Sequence, residues 1–582
     1  MNQWILYHLI TLSNPKKPTK LQQLIQMAYS ALEAFGHAKT TVHDNASRFG
    51  KHLELQFNEK GRMVGAKIMD YMLEGSRITQ ANGDERNFHI FYYMLHGSTP
   101  EIKSLLHLDE VASYTYLFKT KEAARLAAAL VEQDTEKYNE LRTLLKSLGV
   151  HKGTFLQMMQ ILAAILHLGN LHFADDATNI QDSAIVKNMA ELEIAAELLG
   201  VEPKALETCL TYQTKLIKRD LTTIFLNAEQ AALQRDTLAE TLYKLLFSWL
   251  IEMFNKKLNK AEFQNTIGII DFPGASPIGH RSFEQLSMLY ANERLYHYML
   301  HQIYERNSSV YSVLRVPAPT FPNTLIDDCV QLFDRPQTGL LTTPPPSLQQ
   351  PSRFLEILKQ NHRKNPCLSF KTGGQETLFS VQHFTGTVTY SPSEFLTRAH
   401  ETLCTDFILL FGPQATEAPT NRLVTKLFSQ KSVSSSQAET GSERAVAGPI
   451  DKILSTLASS KNWYVTCLRS NDLLLPHSCD PKKLAAQIKT LHLVPLVERS
   501  RLEYTIDIDL LEFCERYADL IHATAVDLAA EPKEKFLALQ DVLDWDEKMM
   551  IQHEEKVTRK KKGLHEGIVF LKEKIFLVDR CF

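Results

Sequence analysis

The sequence predicts an α/β protein, largely helical around a sheet, on three observations. The segment HLELQF (52–57) alternates apolar and polar residues, turns at NEKGR and returns as MVGAKIM, which is typical of a hairpin. Between residues 120 and 260 apolar residues recur at helical spacing. The β-branched run TIGIID (266–271) ends in a carboxylate, Asp271. This run predicts a buried strand that delivers an acid to the edge of the sheet.

Bulk properties exclude several classes of protein. The 582 residues can bury a large core and fold as subdomains. A net charge of -3 argues against nucleic acid as a partner, and no apolar stretch reaches the roughly 20 residues that a bilayer span needs, so we expect no direct membrane insertion. The eight cysteines contain no CxxC pair, which predicts a reducing compartment and neither a zinc site nor a disulfide framework.

Individual elements follow from local patterns. Apolar residues on one face predict a helix over 20–35, with Gly36 as its stop. A helix of about 25 residues should start at Ser282, where Ser282 and Gln285 form a capping box. WYVTCL (463–468) predicts a short strand.

Two short stretches carry candidate chemistry. HDNASRFGK (43–51) places the Ser47 hydroxyl, the Arg48 guanidinium and Gly50 close together, as a phosphate-sensing loop would, although an ordinary polar turn has the same composition. Asp271 is followed by Pro273 and Gly274. It could sense the metal of a bound nucleotide, or simply end a strand.

In chain order, these pieces resemble the myosin motor domain. NASRFGK resembles switch I, IIDFPG switch II and RSFEQLSMLYANERL the relay helix. SRITQANGDERNFHIFYYML, ILAAILHLGNLHF, HFTGTVTY, WYVTCLRSN and IVFLKEKIFL are similar to further family segments, so the matches span roughly residues 20 to 578. NASRFGKHLELQF, the DxPG form of switch II and EFCERYADL look closest to the myosin-like domain of fungal class V chitin synthases.

The resemblance implies a P-loop NTPase-like motor fold, largely helical around a central mixed sheet, with its N-terminal part absent. Residues 1–500 would form the motor-like core and 501–582 a converter-like unit. The core would hold switch I (43–51), switch II (271–276), the relay helix (282–306) and loop 2 (429–448). His89, His167 and His383 fall within family sequence, and we expect them to be satisfied core histidines.

The resemblance also implies ATP and Mg²⁺ as cofactors. Ser47 would ligate Mg²⁺, and Asp271 would hold the water of the metal. Asn45 would join them in binding the nucleotide, Gly274 would contact the γ-phosphate through its amide, and Arg48 would pair with a switch II glutamate to position the attacking water.

This sequence departs from the family pattern at several points. No GxxxxGK[ST] motif occurs, and the resemblance begins at the helix that normally follows that loop. A truncated gene model and a protein that lacks the loop both stay open. His43 and Ala46 replace a switch I asparagine and serine, and Ser276 stands where switch II has its glutamate. We therefore predict that the chain hydrolyses ATP very slowly or not at all.

The implied partners are actin filaments and a membrane-embedded chitin synthase region, at the cytoplasmic actin cytoskeleton. No QxxRW motif of the synthase half occurs here. Two alternatives are a non-catalytic module that tethers a chitin-synthase-type cargo to actin and a nonfunctional fragment. Loop 2 has only Lys431 and Arg444 against Glu439 and Glu443, which weakens the electrostatic case for tight actin binding.

Overall fold

A computed structural model describes residues 19–41, 43–80, 85–117, 129–175, 183–217, 220–274, 283–305, 325–341, 351–373, 376–399, 403–429, 447–471, 477–502, 506–522, 530–543, 550–553 and 568–571. The chain divides into two compact units. The first comprises Met1–Arg294 with Asp328–Ser460, and the second comprises Leu295–Asp327 with Lys461–Phe582. The boundary near residue 500 stays a prediction.

Helices dominate the described chain. Those up to residue 258 are α1 (Lys20–Gly36), α2 (Arg77–Gln80), α3 (His89–Gly97), α4 (Pro100–Leu105), α5 (Val131–Ser147), α6 (Lys152–Gly169), α7 (Met189–Leu199), α8 (Pro203–Thr211) and α9 (Ala228–Leu258). The later ones are α10 (Phe283–Glu305), α11 (Leu325–Asp334), α12 (Pro351–Asn361), α13 (Pro392–Ala399), α14 (Thr405–Phe411), α15 (Arg422–Leu427), α16 (Ala447–Ala458), α17 (Pro481–Thr490), α18 (Leu493–Leu502), α19 (Leu510–Arg516), α20 (Ala518–His522) and α21 (Pro532–Leu543).

The strands form small sheets with antiparallel pairing throughout the described residues. They are β1 (His37–Ala38), β2 (Ala46–Ser47), β3 (Gly50–Phe57), β4 (Met63–Tyr71), β5 (Phe173–Asp175), β6 (Ala184–Val186), β7 (Tyr212–Ile217), β8 (Asp220–Phe225), β9 (Asn265–Asp271), β10 (Leu368–Gly373), β11 (Glu376–His383), β12 (Gly386–Tyr390), β13 (Ile506–Asp509), β14 (Met550–His553) and β15 (Ile568–Leu571). The largest sheets have three strands each, in the orders β4-β3-β9, β10-β11-β12 and β13-β15-β14. The predicted α/β class, largely helical, is confirmed.

Helix α1 and the hairpin lie where the sequence predicts them. Thr19 caps α1 in a reciprocal capping box with Gln22, which satisfies backbone donors at the helix start. The helix ends at Gly36, whose added Cβ would lie 2.3 Å from a Phe49 ring carbon. No side chain fits there, so the glycine lets α1 and the loop that carries Phe49 pack closely.

Strand β9 corrects the prediction of a buried strand. Among the described residues it pairs with β3 on one side only, so it is an edge strand of the described sheet. Its first four residues are exposed and Ile267 is 43% exposed, while Asp271 at its end is half-buried. An apolar, β-branched run predicts a strand, but the number of neighbours beside it decides its burial, and the run does not encode that number.

The first unit contains two separate apolar cores. The larger combines α1, α3, α6 and α9 with the inner face of β3, where Leu53 and Leu55 are buried. The smaller gathers the start of α10, α11, α12 and the sheet β10-β11-β12. Strand β3 and the loop before it therefore pack against the larger core, and the start of α10 packs against the smaller core.

Segment 463–468 corrects another expectation. These residues form no regular secondary structure and pair with no strand among the described residues, and Trp463 is 91% exposed. A strand exists only through pairing with a neighbour, which local sequence does not guarantee. The predicted loop 2 lies outside the described residues except at its two ends, and no described helix has both the length and the apolar composition of a bilayer span.

Candidate functional site

Asn45, in the loop before β3, is held by polar groups from three elements. Its Oδ1 lies 2.9 Å from His37 Nδ1 and 3.2 Å from His89 Nε2. Its Nδ2 donates to Glu33 Oε2 at 3.2 Å. Burial lowers the pKa of both histidines, for His89 to about 3. The amide is therefore fixed by two neutral imidazoles and a carboxylate.

Ser47 lies beside Asn45 on β2, which pairs with β1 at the end of α1. Its hydroxyl donates to the Phe49 carbonyl at 3.0 Å. His43, two residues before Asn45, is exposed and accepts the Asn45 backbone N–H through Nδ1 at 3.1 Å. The loop thus holds its own polar side chains in local hydrogen bonds.

Arg48 is buried in a chain of charges that we call the Glu74 network (Arg48, Glu74, Arg77 and Glu85). Arg48 Nη1 lies 3.7 Å from Glu74 Oε2, and Arg77 Nε lies 2.7 Å from the same oxygen. Arg77 Nη1 then reaches Glu85 Oε2 at 2.9 Å. Burial alone would raise the pKa of Glu74, but Arg77 and Arg48 outweigh it and lower the pKa.

The first turn of α10 is joined to this network. Gln285 Nε2 donates to Glu74 Oε1 at 2.9 Å. The Ser76 backbone N–H donates to Glu284 Oε2 at 2.9 Å, and Lys244 Nζ lies 2.8 Å from Glu284 Oε1. A displacement of Arg48 or Glu74 would therefore act directly on the start of α10.

Lys51 lies opposite Asp271 in the pairing of β3 with β9. Its ammonium is 3.4 Å from His37 Nε2 and 4.7 Å from the centre of the Tyr29 ring. Burial lowers the pKa of Lys51, and the charges of Asp271 and Glu33 oppose that shift. The Asp271 carboxylate thus interacts with a buried cation from the neighbouring strand.

The residues after Asp271 pack closely at first and then open to solvent. Phe272 stacks on Tyr71 and fills the space above Gly50, where an added Cβ would lie 2.5 Å from a Phe272 ring carbon. The Pro273 carbonyl accepts from Asn292 Nδ2 at 2.9 Å. Gly274 is exposed, and an added Cβ there would meet nothing within 4 Å.

A cavity of about 380 Å³ opens next to Asn45, between α1, α3 and α5. Its lining mixes acids with bases, including Glu33, Asp134, Lys39 and His89. Such a lining gives no single sign of charge with which to attract a phosphate.

Comparison with known proteins assigns the fold to a family. The model of the myosin head (motor domain) family matches residues 3–560. The chain belongs to the myosin head family.

Curated relatives are similar over most of this chain. Chitin synthase 8 of Mycosarcoma maydis is 31% identical over 93% of the chain and 31% of its own length. Chitin synthase 5 of Cryptococcus neoformans var. grubii is 31% identical over 87% of the chain and 30% of its own length. The myosin-I heavy chain of Dictyostelium discoideum is 30% identical over 86% of the chain and 21% of its own length. The chain spans about a third or less of these relatives.

Myosin heads as a family bind nucleotide and Mg²⁺, so the donors present here can be compared with that requirement. Ser47 and Asp271 supply a hydroxyl and a carboxylate oxygen, the hard ligands that Mg²⁺ takes alongside water and phosphate. Both lie at the same end of the β3–β9 pair, because Asp271 is opposite Lys51 and Ser47 is four residues before Lys51. This donor chemistry fits the ion.

Sequence reasoning found the two switch segments but not all their contacts. Asn45, Ser47 and Arg48 lie in one segment before β3. Asp271, at the end of β9, lies opposite the start of β3. The roles of these residues and of Gly274 stay predictions. Ser276 and Ser282 lie outside the described residues.

The Glu74 network and the His37–Asn45–His89 contacts were missed. The only signal of the Glu74 network in the sequence is the charge-rich stretch EGSRITQANGDER (74–86), which is typical of solvated surface unless its partners are known.

The three predicted core histidines differ in their surroundings. His167 is satisfied by Glu191 and by the His107 carbonyl, which confirms the prediction. His89 is buried and its Nε2 lies 3.2 Å from Asn45 Oδ1, which also confirms the prediction. His383 has a buried Nδ1 without a hydrogen-bond partner, so for it the prediction is wrong.

Proposed function

We propose that this chain is the motor-like, actin-binding part of a longer protein, and that as given it hydrolyses ATP very slowly or not at all. The observation that carries the proposal is the pairing of Arg48 with Glu74 inside the network. Family resemblance gives this arginine a switch II glutamate as its partner during closure.

The charges around Arg48 oppose such a closure. Serine at position 276 cannot form an ion pair, whereas Glu74 gives Arg48 a carboxylate inside the core. Withdrawing Arg48 from Glu74 would leave buried charges without compensation, which is costly. Arg48 therefore stays with Glu74, and no switch II acid orders the attacking water.

Ser47 and Asp271 would hold Mg²⁺, with Asn45 and the Gly274 amide towards the phosphates of ATP. When bound, the ion would neutralise phosphate charge. The residues of this chain position oxygen ligands at the end of β3 and β9, and Lys51 adds a buried positive charge beside Asp271.

Actin is the partner that membership of the myosin head family implies. Similarity to chitin synthases 8 and 5 supports the further proposal that a membrane-embedded synthase region is linked to this part. The site of action would be the cytoplasmic actin cytoskeleton.

A second candidate is a tether that holds such a cargo on actin without cycling. Ser276 favours this reading, because a chain that cannot pair Arg48 with switch II has no route from ATP to a closed site. Both candidates bind actin, and they differ in whether ATP changes that binding.

Co-sedimentation with actin filaments, with and without Mg²⁺ and ATP, tests the proposal. We expect actin binding that ATP weakens, and steady-state turnover close to that of Ser47→Ala, which lacks the metal-binding hydroxyl. Binding that is insensitive to ATP would favour the tether. Absence of actin binding would overturn both candidates, and robust actin-activated turnover would refute the weak-catalysis proposal.

A further inference from the structure

The smaller core of the first unit contains a cluster of metal-ligating side chains from separate elements. Glu293 lies on α10, Cys329 on α11 and His383 at the end of β11. One ligand atom from each lies within 4.8 Å of the other two. Cys367, just before β10, hydrogen-bonds to the Cys329 thiol. We call these four residues the Cys329 cluster.

The cluster is completely enclosed. Glu293 and the side chain of His383 are 0% exposed, and Cys329 and Cys367 are 1% and 2% exposed. No described lysine or arginine forms an ion pair with Glu293. The adjacent Arg294 forms its ion pair with Asp334. A carboxylate in such a place needs a compensating positive charge.

Two polar atoms in the cluster lack hydrogen bonds. Glu293 Oε2 and His383 Nδ1 are both buried without a partner. His383 Nδ1 lies 3.3 Å from Glu293 Oε1, inside ion-pair distance but without the geometry of a hydrogen bond. Buried polar atoms are rarely left this way unless a water or an ion completes them.

The spacing matches a tetrahedral ion. Nitrogen and oxygen ligands each bind zinc at about 2.0 to 2.1 Å, which puts them roughly 3.3 Å apart at a tetrahedral angle. The Nδ1–Oε1 separation is 3.3 Å. A sulfur ligand at about 2.3 Å would lie roughly 3.6 Å from either. Because the ligand atoms lie within 4.8 Å of one another, each distance to the Cys329 sulfur has to shorten by at most about 1.2 Å.

The surrounding contacts fit ligation as well. His383 Nε2 lies 3.1 Å from the Tyr390 hydroxyl, and ring nitrogens opposite a metal normally have such a partner. Glu293 Oε1 accepts the Phe384 backbone N–H at 2.7 Å, which orients the carboxylate, and the same oxygen keeps a second lone pair for an ion. The ligand directions are thus fixed before an ion arrives.

We propose that Glu293, Cys329 and His383 bind one zinc ion, and that the thiol of Cys367, which hydrogen-bonds to Cys329, shifts in as the fourth ligand. Thiolate, imidazole and carboxylate together favour zinc over Mg²⁺ or Ca²⁺. The ion would join α10, α11 and the sheet β10-β11-β12 at one point. The sequence pattern argued against a zinc site because it sought paired cysteines, whereas these ligands come from four places along the chain.

Metal analysis of the full chain, purified from zinc-supplemented culture, tests the site. We expect about one zinc per chain, and less than a tenth of that in Cys329→Ser and Glu293→Gln. Cys404→Ser is the matched control, because Cys404 is also a buried cysteine of the first unit. Its thiol donates a hydrogen bond to Asp406 and does not belong to the Cys329 cluster. The control should keep its zinc.

Cobalt replacement gives a second readout that does not depend on the variants folding. Dialysis against a chelator and then Co²⁺ should produce thiolate-to-cobalt charge-transfer absorption in the wild-type chain, and chelation should lower its melting temperature. A wild-type chain without zinc and without that absorption overturns the proposal. So does zinc that Cys329→Ser retains in full.

Discussion

The two switch segments of this myosin head family member lie in opposite surroundings. Around Arg48, every charge of the Glu74 network is buried and paired, and the first turn of α10 is bound to it. Around Asp271, β9 is an edge strand, and the chain becomes exposed by Gly274.

This contrast shows where conformational freedom can reside. The first segment is fixed by the core, so moving it means separating buried charges. The second is held by the Phe272 ring and the Pro273 carbonyl but opens to solvent at Gly274, so its end can move at smaller cost. We infer that in this chain a nucleotide response would start on the β9 side and reach α10 through the hydrogen bond from Asn292 to the Pro273 carbonyl.

The largest effect should come from breaking the Glu74 network. Glu74→Gln keeps the size but leaves Arg48 and Arg77 without their shared carboxylate, so we expect a loss of roughly 3 to 5 kcal/mol in the free energy of unfolding. Glu59→Gln, on the exposed hairpin turn, is the control. Equal urea midpoints for the two variants would show that the network adds no stability.

Acid should destabilise the protein through His89. Its pKa is about 3 in the folded protein and 6.5 in an unfolded chain, so below pH 6.5 the unfolded chain binds a proton that the folded chain does not. Stability therefore falls as the pH drops through this window, by about 2 kcal/mol at pH 5 from this residue.

Urea unfolding at pH 7 and pH 5 measures this loss. His89→Gln should show a smaller loss between the two pH values than the wild type, while His172→Gln, an exposed histidine, should show the wild-type loss. An unchanged loss in His89→Gln would rule out His89 as the source.

Two glycines measure the difference in packing directly. Gly50→Ala places a methyl group against the Phe272 ring, and we expect it to cost about 1 to 3 kcal/mol. Gly274→Ala meets open space and should stay within about 0.5 kcal/mol of the wild type. Equal melting temperatures for the two variants would mean that Phe272 moves aside freely.

The smallest effect should lie on the edge strand. Ile267→Ala removes a side chain that is 43% exposed, and we expect a loss below about 0.5 kcal/mol. Ile68→Ala on β4, where the side chain is 3% exposed, should cost about 2 to 5 kcal/mol. A loss at Ile267 as large as that at Ile68 would contradict the open surface of β9.

Elements defined by local periodicity were predictable from the sequence. Helix α1 ends at Gly36, and α10 covers nearly all of its expected range, because spacing and caps act within a few residues. The family pattern also identified the two switch segments, since their motifs are contiguous.

Long-range facts were not predictable in the same way. The exposure of β9, and the lack of a partner strand for 463–468 among the described residues, depend on which strands lie beside them. Glu74, Arg77 and Glu85 look like surface charges until their mutual burial is known. The Cys329 cluster draws its members from four separate places, so no spacing rule could find it.

The contacts of Asn45 fix the proton positions on two histidines. A carboxamide oxygen only accepts, so His37 must carry its proton on Nδ1 and His89 on Nε2. His37 Nε2 is then a bare acceptor for the ammonium of Lys51. Donation thus runs in one direction, from Lys51 through His37 to Asn45. A ligand that captured the Asn45 oxygen would strand two imidazole N–H groups, unless both rings exchanged tautomers together.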